Sequence, residues 1–269
     1  MALSPMMQHY VATKEKYKDC IVFYRLGDFY EMFFDDAKTV SEELELTLTG
    51  KDCGLKERAP MCGIPYHAAE TYIEKLIEKG YKVAVCEQVE DPKTAKGIVK
   101  REVIRVVTPG TNMNSQGLDE AKNNYIMSIV CMDERFGLAV ADISTGECQV
   151  TEVDKAPKLI DEINKFVPSE IICNQSLLVS GIDCLELKEK LSICVNSLDD
   201  WYFDDENCEK VLKEHFKVLS LEGLGLSDYS CGLIACGALF QYLYETQKSD
   251  MPQMTSVTPY VTDRFMVID

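Results

Sequence analysis

Residues 125–153, YIMSIVCMDERFGLAVADISTGECQVTEV, constrain the architecture more than any other stretch of the 269-residue chain. Branched and apolar residues run in three blocks broken by short polar pieces, the pattern of three strands joined by two tight turns. KLIDEINKF follows with helical spacing of its apolar residues, then Pro168, then the strand-like EIIC. LSLEGLGLSDYSCGLIACGALFQYLYETQ ends in a long apolar helix rich in small residues.

A meander followed by βα alternation is the element order of an RNase H-like α/β domain. The first half reads as a mixed-sheet α/β unit. Ser4-Pro5 open a helix running to about Lys18. CIVFYRLG is strand-like, and Asp28–Phe34 is expected to continue it in extended form. DDAKTVSEELEL starts a helix with acids in the first turn, where the dipole favours them. LTLTG alternates like a strand, AAETYIEKLIEKG is an amphipathic helix ended by Gly80, and YKVAVCEQ is a buried strand. EDPKTAKG reads as a loop and IVKREVIRVVT as a long strand. The expected organisation is a domain at 1–113, a polar linker at 114–124, an RNase H-like domain at 125–250 and a further segment at 251–269.

The net charge of −17 argues against a generic nucleic-acid binder, but the acids are unevenly placed. Residues 1–113 carry 16 basic and 18 acidic groups, whereas 114–269 carry 12 and 27. Lys93, Lys96, Lys100, Arg101 and Arg105 form a local basic strip in the near-neutral half. No apolar run approaches the roughly 20 residues of a membrane span, and the N-terminus lacks a signal-peptide pattern. The twelve cysteines include no C-x-x-C pair and the three histidines stand far apart, so no metal site and a reducing, cytoplasmic setting are expected. No G-x-x-x-x-G-K-[ST] loop and no G-x-S-x-G occur. Two-metal nuclease chemistry needs converging carboxylates. The first meander strand has none, and Asp133, Asp142 and Glu147 make a thin set better read as turn formers.

Phe29 and Glu31 pose the sharpest question. Two residues apart in a strand, they face one side. Periodicity alone assigns Phe29 to the core, which leaves a carboxylate beside it, and an unpaired buried carboxylate is costly. The conflict relaxes if both side chains point outward at a partner.

GDFYEMFFDDA at 27–37, MCGIPYHA at 61–68 and VAVCEQVEDPKTAKGIVKREVIRVVTPGT at 83–111 follow one another as in the N-terminal mismatch-binding domain of the MutS family of DNA mismatch repair proteins. FGLAVADISTGE at 136–147 resembles the start of that family's connector domain, and RFMVID the point where its lever and core domains begin. The resemblance implies a non-enzymatic DNA-binding segment, with the ATPase domain, its ATP and Mg, and homodimerisation lying outside it. It maps a Phe-x-Glu probe onto Phe29 and Glu31: the ring wedges into the minor groove and stacks at a mispaired base, and the carboxylate hydrogen-bonds that base. Lys93, Lys96, Lys100, Arg101 and Arg105 become candidates for phosphate contact, the two arginines favoured as better forks. Charges that merely solvate a strand face are the alternative. GIPYHA is expected to shape a loop beside the wedge, with Met61 and Tyr66 touching DNA or packing beneath the loop. The acidic half, as connector, would offer a surface to the partner MutL. Competing readings are a metal-dependent RNase H-like nuclease and a MutS relative acting outside repair, the latter disfavoured by the Phe-x-Glu itself.

Overall fold

The computed structural model describes residues 3–90, 97, 99–113, 123–133 and 135–262. They form two compact units, each built on its own six-stranded sheet.

In the first unit the elements run α1 (Pro5–Lys16), β1 (Cys20–Leu26), β2 (Phe29–Phe33), α2 (Phe34–Glu43), β3 (Thr49–Lys51), β4 (Ala59–Pro65), α3 (Ala69–Glu78), β5 (Lys82–Gln88) and β6 (Arg101–Val107). The sheet order is β3-β4-β2-β1-β5-β6, with β1 and β5 parallel and the other pairs antiparallel. Central β1 is buried on both faces, which is why CIVFY reads as an unbroken apolar run rather than an alternation. Met7 and Tyr10 of α1 pack on one face with Val22, Tyr24, Phe33 and Cys86. Ala37 and Val40 of α2 and Ile73, Leu76 and Ile77 of α3 cover the other, against Phe23, Tyr30, Met32 and Val85.

Several expectations for this unit are corrected. Asp28–Phe34 does not prolong β1, because Gly27 and Asp28 turn the chain and β2 runs back beside it. LTLTG contributes only the short β3. Of GIPYHA, expected to shape a loop, Gly63–Pro65 lie in β4, and Tyr66–Ala68 form a single 3₁₀ turn after it. Ser4 stands at the helix N-cap without a side-chain capping bond.

The second unit comprises β7 (Tyr125–Met132), β8 (Arg135–Asp142), β9 (Glu147–Val153), α4 (Ala156–Phe166), β10 (Glu170–Cys173), α5 (Gln175–Leu178), α6 (Cys184–Leu191), β11 (Cys194–Ser197), α7 (Asp205–Phe216), α8 (Ser230–Gln247) and β12 (Thr258–Pro259). The meander pairs antiparallel, while β10 adds parallel to β7 and β11 parallel to β10, as the RNase H-like reading expects. Strand β12 joins the far edge, parallel to β9. The small residues of α8 have a packing reason. A Cβ on Gly232 of α8 would crowd the Val150 side chain of β9, and one on Gly137 of β8 would overlap the Cys231 backbone, so the helix sits directly on the sheet. Among the described residues no helix is long and apolar enough to cross a membrane.

Candidate nucleic-acid interface

The β1–β2 turn has two central residues, since Leu26 pairs with Phe29. Gly27 takes φ +59°, the sign that the first central residue of a type II′ hairpin requires and that a side chain resists. Phe29 therefore starts β2 at the turn, and its side chain is 48% exposed.

Directly opposed residues of antiparallel strands share a face. Phe29 pairs with Pro65, Glu31 with Gly63 and Phe33 with Met61, so this series lies on the face that α1 covers. The cover is partial. Phe33 is sealed, its ring edge-on to Tyr10 at 4.9 Å between centroids, while Phe29 at the other end of the strand is open. The core position that periodicity assigns to Phe29 is thus corrected, because α1 covers the Phe33 end of the face and leaves Phe29 open.

Glu31 lies between these extremes, its side chain 14% exposed, and is ion-paired to Lys51 of β3. That ammonium also sits 5.7 Å from the centre of the Phe33 ring. The awkward carboxylate is therefore satisfied by a cation two strands away, a partner that the sequence reading did not identify.

Behind the turn, on the opposite face, Arg25 donates from Nε to the Gly27 carbonyl at 2.5 Å and places its guanidinium 3.8 Å from the Tyr66 ring centre. The Tyr66 amide donates to the Asp28 carbonyl at 2.9 Å. Tyr30 donates to Glu87 at 2.7 Å, and burial together with that bond pushes its phenol up. The hairpin tip is fastened from behind, and both Phe29 and Tyr66 remain exposed. Met61 is half-buried, its sulfur 3.7 Å from the Thr49 hydroxyl.

The basic strip does not behave as one surface. Strand β6 has an irregularity: Val85 pairs with Arg105 but Cys86 with Val103, leaving Ile104 as the extra residue. A bulge of this kind reverses which face later residues occupy. Arg101 consequently lies on the α1 face and Arg105 on the α3 face. Arg101 is only 7% exposed, donating to the carbonyls of Arg25 and Val99 at 2.7 Å each and facing the Tyr24 ring. Its expected role as an outward phosphate fork is corrected to that of a buried tie between β6 and β1. Burial raises the Tyr24 phenol to about 12, against the opposing effect of the Arg101 charge. Arg105 is ion-paired to Glu70, and Lys100, 66% exposed, to Glu102 at 2.6 Å. Lys93 and Lys96 lie outside the described residues.

In the second unit, buried Asp142 accepts from the Ser144 amide at 2.8 Å and its hydroxyl at 2.6 Å, and Glu147 accepts from Tyr125 at 3.1 Å. Both carboxylates hold the meander's turn and edge. Among the described residues no group of three His, Cys, Asp or Glu side chains is placed to hold a metal ion.

Residues 4–116 match the family model of MutS domain I, and residues 124–255 that of MutS domain II. The chain is 64% identical, over 99% of its length, to the DNA mismatch repair protein MutS of Lachnoclostridium phytofermentans. It is 48% and 49% identical to those of Ruminiclostridium cellulolyticum and Acetivibrio thermocellus, over 99% and 100% of its length. It spans 29% to 31% of the length of these relatives.

Proposed function

As this chain belongs to the MutS family, we propose that its first unit reads mispaired bases in double-stranded DNA and its second unit connects that reader to the ATP-hydrolysing remainder of a longer protein. The observation that carries this reading is the exposed Phe29 ring on a hairpin braced from behind.

The proposed chemistry is a test of deformability. Phe29 enters the minor groove and unstacks a base step, which costs a few kcal/mol in sound duplex and less where pairing is already faulty. Stacking on the exposed base returns ~1–3 kcal/mol with little dependence on which base it is. Glu31 then accepts a hydrogen bond from a ring N–H of the displaced base. A correctly paired base offers no such donor, so the same carboxylate opposes binding to intact duplex.

Phosphate contacts fall to the exposed Lys100 and the half-buried Arg105, and to Lys93 and Lys96 on sequence grounds. Tyr66, exposed behind the tip, joins Phe29 in the contact, while Met61 packs at the Phe33 end of the strand. The acidic second unit stays off the phosphates and offers a face to MutL, and homodimerisation with ATP and Mg belongs to the longer protein.

Replacing Phe29 with a benzophenone amino acid tests the placement. Irradiation of the full-length protein with a duplex containing one mispair should give adducts at the mispair and its neighbours. Adducts spread evenly along the duplex, or equally abundant on fully paired DNA, would overturn it.

A further inference from the structure

Resting on that reading, we propose that Lys51 is a specificity-setting residue: its ion pair with Glu31 limits how strongly the carboxylate discriminates mispaired from paired DNA.

The geometry isolates the two groups together. Opposite Glu31 in β4 stands Gly63, so no side chain of that strand faces the carboxylate directly. Lys51 reaches it instead from β3 and rests near the Phe33 ring. The Lys51 side chain is 31% exposed and that of Glu31 14%, so neither group is freely hydrated. Glu31 stands two residues from Phe29 on the same face, where a displaced base would arrive, and Lys51 reaches it from the Phe33 end of the strand.

The energetic consequence has a definite sign. With Lys51 in place Glu31 keeps a partner on any duplex, which softens its rejection of paired DNA, and a base N–H has to compete with the ammonium. Without Lys51, the half-buried carboxylate meets paired DNA with no donor and pays for its lost hydration. A mispaired base satisfies it. Removing the cation therefore weakens binding to both duplexes through lost phosphate attraction, but weakens binding to paired DNA more.

The test is a double-mutant cycle in the full-length protein at fixed salt: wild type, Lys51→Met, Glu31→Gln and the double variant, each on one mispaired and one paired duplex. Lys51→Met should raise the mispaired-to-paired affinity ratio by about two- to fivefold, the size of a partly exposed ion pair. In the Glu31→Gln background the same change should leave the ratio untouched. A ratio that Lys51→Met does not raise, or one raised equally with Gln at position 31, overturns the inference. The Gln background also separates a misfolded edge strand from a lost ion pair, since misfolding would move the ratio in both. Failure of the base-reading proposal shows separately, as a wild-type ratio that Phe29→Ala leaves unchanged.

Discussion

The Arg25 guanidinium lies 3.8 Å from the centre of the Tyr66 ring while its Nε holds the Gly27 carbonyl. One side chain thus joins the β1–β2 turn to the turn after β4. Arg25→Met keeps the aliphatic stem but loses both contacts and the 3.4 Å ion pair to Glu87, together worth ~1–2 kcal/mol. Amide exchange at Gly27, Asp28 and Phe29 should accelerate while that of central β1 stays slow. Unchanged exchange at the tip would mean that Arg25 does not brace the hairpin.

Asp36 ties three elements together. It accepts from the Tyr10 hydroxyl at 3.1 Å and the Val22 amide at 2.9 Å and pairs with Lys14 at 2.8 Å. Burial, then the Asp36 charge, push the Tyr10 phenol up. Asp36→Ala leaves the buried Tyr10 hydroxyl and Val22 amide without this acceptor and should cost ~3 kcal/mol in urea unfolding. A loss under about 1 kcal/mol would show that solvent readily replaces the carboxylate.

Burial pushes the thiols of Cys20, Cys86, Cys173 and Cys208 from 9.0 up to about 12. The folded values lie above the unfolded one, so the native state holds these protons longer. The stability linked to them is complete below pH 9 and is lost as pH rises toward 12. A short alkylation pulse at pH 8 should label the half-exposed Cys184 and Cys194 well before these four. Equal labelling, read by mass spectrometry, would contradict the buried assignments.

Much of this architecture is legible in the sequence because it rests on local pattern. The blocks YIMSIVCM, FGLAVAD and ECQVTEV become β7, β8 and β9, and AAETYIEKLIEKG becomes α3. The hairpin has a local signal too, Gly27-Asp28, between the strand-like segments that become β1 and β2. The remaining misreadings depend on non-local facts. That Lys51 neutralises Glu31 follows from the order β3-β4-β2, which no local pattern encodes. Arg101 and Arg105, four apart on one strand, should share a face, and only the pairing with β5 reveals the extra residue that separates them. Phe29 and Phe33 occupy equivalent pattern positions, yet α1 covers one and leaves the other open.

The role of Phe29 is decided by the affinity of the full-length protein for a mispaired and a fully paired duplex at one salt concentration, with and without Phe29→Ala. Loss of ~1–3 kcal/mol of stacking should weaken mispair binding about 5- to 150-fold and leave paired-duplex binding nearly unchanged, collapsing discrimination. An equal loss on both duplexes, accompanied by a lowered unfolding midpoint, would instead assign Phe29 to the stability of its hairpin.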